Sequence, residues 1–146
     1  MNVRDAILAD VPAIHALIIE LAVYERAPNE VINTISSLEK DLFVHKSCFA
    51  QVSEHEGAIV GFALYFFGYS TWKGRTLYLE DIYVKEAFRK LGIGQALFNT
   101  VIEIAKREKV RRMDWQVLEW NTPAIAFYKK NKALLDEEWI NGRIYF

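Results

Sequence analysis

Residues Tyr78 to Gln95, YLEDIYVKEAFRKLGIGQ, constrain this chain more than any other stretch. An apolar, aromatic run reads as a strand and carries two adjacent carboxylates, Glu80 and Asp81, before it reaches Val84. A short charged loop follows, and Arg89-Lys90-Leu91-Gly92-Ile93-Gly94 opens an amphipathic helix. Glycines lack side chains, so backbone N–H groups there can approach an anion. The helix start adds unpaired donors and the positive end of the dipole. Strand, glycine turn and helix N-terminus together form a cradle suited to phosphate. Taken alone, the glycine pair fits a plain helix start with packing glycines equally well. The stretch has neither the GxGxxG spacing of a dinucleotide fold nor the Gly-Lys-Ser/Thr of a nucleotide-binding loop.

Neighbouring strand residues point to opposite faces, so Glu80 and Asp81 are expected on different sides, one of them lining a cleft. Carboxylates set among Tyr78, Leu79, Ile82 and Tyr83 are costly to bury unless they are satisfied or used. One account is an ion pair near a strand end. The account preferred here is function, because perturbed acids gather at active sites.

The remaining pattern gives an element order. Asn2–Ala6 reads as a strand. Asp10 caps a helix whose apolar face runs through Val11, Ile14, Leu17, Ile18 and Leu21 and which ends near Tyr24-Glu25-Arg26. A second helix, capped by Ser36 or Ser37, carries Leu38, Leu42 and Phe43. Cys48–Ser53 and Ala58–Tyr69 read as a hairpin around His55-Glu56-Gly57, and Arg75–Val84 as the next strand. Gly92–Glu108 is a helix and Arg112–Leu118 a strand. A short helix follows over 124–130, with Asn121 as its cap and Asn131 ending it in the left-handed conformation. One or two last strands are expected in Ala133–Phe146. The sum is an α/β chain with a mixed sheet of six or seven strands and helices on both faces, in a single domain spanning 1–146.

Composition closes several routes. Eighteen basic and nineteen acidic residues give a net charge of −1, which supplies no positive field for nucleic acid. Cys48 is the only cysteine, so neither an internal disulfide nor a cysteine metal cluster is expected. His15, His45 and His55 make no spaced ligand pair, so no metal is expected. The first residues lack the apolar run of a signal peptide, and no stretch has the length of a membrane span, so a cytoplasmic protein is expected.

Several segments together resemble the GNAT superfamily of coenzyme A-dependent N-acetyltransferases, and within it the spermidine/spermine (diamine) acetyltransferases. They are Leu21-Ala22-Val23-Tyr24-Glu25, Ile59-Val60-Gly61-Phe62-Ala63, Tyr69-Ser70-Thr71-Trp72, Tyr78-Leu79-Glu80-Asp81, the Arg89–Gly94 loop, and Glu119-Trp120-Asn121-Thr122-Pro123-Ala124 with Phe127-Tyr128-Lys129. The resemblance implies the GNAT fold, with a mostly antiparallel sheet that splays between two central parallel strands, and acetyl-CoA as acetyl donor. It implies that backbone groups of Ile82, Tyr83 and Val84 pair with the pantetheine arm. It implies that amides from Arg89, Lys90, Leu91, Gly92, Ile93, Gly94 and Gln95 bind the pyrophosphate, and that Asn121, Pro123 and Ala124 line the cofactor's far wall. Tyr128 is then the general acid beside the thioester sulfur, and Glu80 the base, acting through water. Tyr24, Glu25, Glu80, Asp81, Glu137 and Glu138 are candidates to hold a cationic amine. A homodimer is implied as well.

Three departures matter. Ser70 stands where the polyamine enzymes place an acidic residue, which leaves room for a shorter diamine or a lysine analogue such as thialysine. Lys132 replaces a glycine that often follows the short helix. The chain ends at Phe146, so a longer tail able to supply dimer contacts is not expected. The rival functions are acetylation of another amine class, a protein N-terminus or an amino sugar, and a coenzyme A-binding regulatory module without chemistry.

Overall fold

A computed structural model describes residues 2–146. The strands are β1 (Asn2–Asp5), β2 (Phe49–His55), β3 (Ala58–Ser70), β4 (Gly74–Val84) and β5 (Arg112–Asp114). The helices are α1 (Val11–Tyr24), α2 (Ile35–Phe43), α3 (Ile93–Arg107) and α4 (Thr122–Lys130). The strands form one sheet in the order β1-β2-β3-β4-β5. Its first three pairings are antiparallel and β4–β5 is parallel. The chain divides into two compact units, the first ending at Trp115 and the second running from Gln116 to Phe146.

Within the first unit, α1 and α2 cover one face of the sheet. Val11, Ile14 and Leu17 of α1 and Leu38 and Leu42 of α2 cluster with Ala50, Val52, Phe62 and Leu64. Residues that pair across a ladder share a face, so alternate residues of β3 look the other way, towards α3. Gly61 is one of them. A Cβ there would meet the Tyr83 carbonyl oxygen at 3.1 Å, Leu97 Cδ1 at 3.2 Å and Val84 Cγ2 at 3.3 Å. The missing side chain at Gly61 is what lets α3 settle onto β3 and β4.

Among the described residues, five strands replace the expected six or seven, because 133–146 forms none. A strand needs a ladder partner and cover for its apolar face. The tail has neither among the described residues: Leu134 and Ile140 are each 97% exposed, and its side-chain bonds, Trp139 Nε1 to Asp136 Oδ2 at 2.9 Å and Gln116 Nε2 to Asn141 Oδ1 at 2.9 Å, build no ladder. The caps also differ. Asp10 sits at the start of α1, but its carboxylate accepts from Arg4 at 2.7 Å and from the Ile7 amide at 2.8 Å rather than from the helix. Thr34, not a serine, caps α2 by accepting from the Ser37 amide. After α4 it is Lys132, at φ 62°, that takes the left-handed turn, and Asn131 stays at φ −85°. No helix among the described residues is long and apolar enough to cross a membrane.

Candidate active site

The site begins with a fault in the β3–β4 ladder. Tyr65 pairs with Leu79 and Leu64 pairs with Asp81, so Glu80 has no partner and forms a bulge. An extra residue reverses the phase of the strand. Before the bulge, Leu77 and Leu79 pair with Phe67 and Tyr65 on the α3 side. After it, Asp81 and Tyr83 pair with Leu64 and Phe62 on the α1 side. The premise that Glu80 and Asp81 must face opposite ways therefore fails, because it requires a regular strand.

The parallel ladder to β5 stops at the same place. Thr76, Leu77 and Tyr78 pair with Arg112, Met113 and Asp114, and no further pairing follows. Among the described residues, that edge of β4 has no strand beside it from Leu79 to Val84. This is the splay, and it holds Ile82, Tyr83 and Val84. The Val84 carbonyl already has a partner, the Arg89 Nε at 2.9 Å.

Three carboxylates feel one another here. Burial, then the charges of Glu80 and Glu25, push the Asp81 carboxyl up to about 7. Burial and the charge of Glu80 raise Glu25, which follows the last residue of α1. Tyr78 is raised by burial and then by Glu80, Asp114 and Asp81. Asp81 is half-buried and Glu80 exposed. Such an arrangement attracts a cation and can take a proton near neutral pH. No group of three or more His, Cys, Asp or Glu among the described residues is arranged to hold a metal ion.

The anion cradle lies at the start of α3. Lys90 at φ 64° and Gly92 at φ 82° are both left-handed, and Gly92 occupies the N-cap position. A Cβ on Gly92 would meet no protein atom within 4 Å, so the space before this backbone is open. The amides of Ile93 and Gly94 lie in the first helical turn, where no intrahelical acceptor exists. Lys90 and Leu91 are exposed, and Gln95 Nε2 donates to Asn99 at 2.8 Å. These groups fit a diphosphate.

Sequence reasoning missed the side chains behind this loop. The Arg89 Cζ lies 5.1 Å from the Tyr24 ring centroid and 5.3 Å from that of Tyr83. Glu20 accepts from the Tyr83 hydroxyl at 3.2 Å and from Lys85 at 2.9 Å. The only signal was Glu20 lying one helical turn before Tyr24.

The second unit holds the other expected residues. Asn121 caps α4, its Oδ1 accepting from the Ala124 amide at 3.3 Å, and Pro123 lies in the first turn. Tyr128 is buried, with its ring 5.4 Å from Phe127. Glu137 and Glu138 are exposed in the tail.

Residues 13–132 match the Acetyltransferase (GNAT) family. The chain is 38% identical over 136 residues to a thialysine N-epsilon-acetyltransferase of Bos taurus, covering 87% of this chain and 80% of that one. It is 36% identical over 141 residues to a human spermidine/spermine N(1)-acetyltransferase-like protein 1, covering 91% of this chain and 20% of that longer protein. Among solved structures, a probable acetyltransferase superposes with a TM-score of 0.82 at 21% identity, over 100% of this chain and 99% of that one.

Proposed function

The chain belongs to the GNAT acetyltransferase family and is an N-acetyltransferase, and from that premise we propose that it transfers acetyl from acetyl-CoA directly to a primary amine of a small cationic acceptor. The acceptor class is a diamine, a polyamine or a lysine-like compound such as thialysine. The observation that carries this choice is the gathering of Glu25, Glu80 and Asp81 where β4 loses its β5 partner. The names of the relatives, a thialysine and a spermidine/spermine-type acetyltransferase, support the same class.

An alkylamine with a pKa of about 10.4 is almost wholly protonated at neutral pH. Acidic walls concentrate such a cation, and a carboxylate must then receive its proton as the nucleophile forms. In our reading Glu80 does so through water, and Asp81, Glu25 and Tyr24 hold the cation, with Glu137 and Glu138 as further acidic candidates. Acetyl-CoA supplies the activated thioester. Backbone donors of Arg89 to Gln95 hold its diphosphate, and the edge of Ile82 to Val84, its Val84 carbonyl already held by Arg89, lies along the pantetheine arm as an added strand does. Asn121, Pro123 and Ala124 line the other wall. Tyr128 gives its phenolic proton to the departing sulfur. The transfer is direct and needs no acyl-enzyme. The family match, residues 13–132, takes in most of the first unit and reaches into the second, and we read the two as one catalytic domain, acting as a homodimer.

The test is thiol release from acetyl-CoA with a panel of thialysine, spermidine, an amino sugar and a peptide with a free N-terminus. Turnover on the first two is expected. Preference for either of the others would move the protein to another amine class. Coenzyme A binding without turnover on any amine would make it a regulatory module.

A further inference from the structure

Arg89 opens the anion loop, yet its side chain is held elsewhere. Its Nε donates to the Val84 carbonyl at 2.9 Å. Its Cζ stands 5.1 Å from the Tyr24 ring centroid and 5.3 Å from that of Tyr83. One planar cation therefore touches the last residue of β4, the ring before it and the last residue of α1. A second link runs alongside: Glu20 of α1 accepts from the Tyr83 hydroxyl and from Lys85. Glu25 comes directly after Tyr24, and Arg26, at φ 62°, stops the helix. The Arg89 backbone sits one residue before left-handed Lys90 and three before Gly92. An anion held on those amides restrains the very backbone from which the clamp departs.

We infer that Arg89 is a positioning residue that joins the diphosphate loop to the end of α1, so that a seated cofactor holds Tyr24 and Glu25 in place for the acceptor amine. The inference rests on the acetyltransferase reading above. It requires a guanidinium in particular. Only a planar cation with an Nε donor bonds a carbonyl while lying over rings, whereas a lysine ammonium is a point charge.

Arg89→Met keeps the apolar stem and every backbone amide. It should be compared with Tyr24→Leu and with the double variant. Each single change is expected to raise the amine KM by about tenfold, and the double to be no worse than the worse single. The KM for acetyl-CoA should shift much less. Additive losses, or a change confined to the acetyl-CoA KM, would overturn the inference. Hydrogen exchange over residues 20–26 gives a readout that needs no turnover. Coenzyme A should slow exchange there in the wild type and not in Arg89→Met; equal slowing in both sinks the clamp. A wild type that binds coenzyme A but acetylates no amine defeats the acetyltransferase reading, while the exchange comparison still decides the role of Arg89. Absence of coenzyme A binding overturns both. Should Arg89→Met fail to fold, Arg89→Lys is measured in its place, with the same loss expected.

Discussion

Asp81 stands across the ladder from Leu64, on the α1 face of the sheet, a position it owes to the bulge at Glu80. In a regular strand Asp81 would share the α3 face with Leu79. The bulge instead brings it within reach of the charges of Glu80 and Glu25, where its carboxyl rises to about 7.

That proton has a consequence for stability. Between the ordinary carboxylate range and about 7, the folded chain keeps the Asp81 proton that the unfolded chain has lost. The unfolded state binds fewer protons there, so stability falls as pH rises through this window. Asp81→Asn removes the effect. It is expected to be more stable than the wild type at pH 8 by on the order of 2 kcal/mol, and about equal near pH 4. Denaturant midpoints for both proteins across that range check it; a less stable Asn variant at pH 8 counts against the buried charge.

The rate should follow the same group in the opposite sense. Turnover on a diamine is expected to rise with pH through about 7 as Asp81 becomes able to pair with the acceptor cation. It should rise again towards the pKa of the amine, about 10.4. In Asp81→Asn the first rise should vanish and the second remain. A profile of kcat/KM against pH that keeps its limb near neutrality would assign that limb to another group.

Gly92 and Gly57 make a controlled pair. Both have positive φ, 82° and 79°, and a Cβ on either would meet no protein atom within 4 Å. An alanine at each costs about 1 kcal/mol of backbone strain. Only Gly92 borders the anion cradle. Gly92→Ala is therefore expected to weaken coenzyme A binding by tenfold or more, roughly the loss of one backbone contact to a charged group. Gly57→Ala should leave binding unchanged. Calorimetric titration distinguishes them, and equal affinities in the two variants would move the diphosphate elsewhere.

Gly61→Ala tests the packing that sets the end of β4. Its methyl would stand 3.1 Å from the Tyr83 carbonyl and 3.2 Å from Leu97. Overpacking of this kind costs about 1–3 kcal/mol. The variant should lose that much stability in denaturant unfolding. A neutral result would mean that α3 can shift without cost.

Tyr128→Phe removes only a hydroxyl from a buried ring. If that hydroxyl protonates the leaving sulfur, kcat should fall by about 10²-fold or more while the KM for acetyl-CoA changes little. Steady-state kinetics on the best amine decides it, and an unaltered kcat would remove the acid role.

Much of this protein was legible before any coordinates. The glycine junction announced a helix start, and α3 does begin there, with Gly92 at its N-cap. The apolar spacing of Val11, Ile14 and Leu17 located the buried face of α1. Other readings went astray for physical reasons. The cap at Asp10 failed because Arg4, from β1, competes for the same carboxylate with two charged hydrogen bonds. The strands expected in 133–146 failed because strand propensity is realised only against a partner edge.

The chain's own residues determined the order of most elements, which helix faces are apolar, where glycine permits a left-handed turn, and to which family the protein belongs. These are local properties, fixed by side-chain chemistry within one or two turns. Tertiary structure alone decided that Glu80 bulges, that Asp81 thereby faces α1, and that Arg89 reaches Tyr24. Each depends on the register between strands and helices distant in sequence. A one-residue slip in that register changes the face of every side chain beyond it without altering a single amino acid.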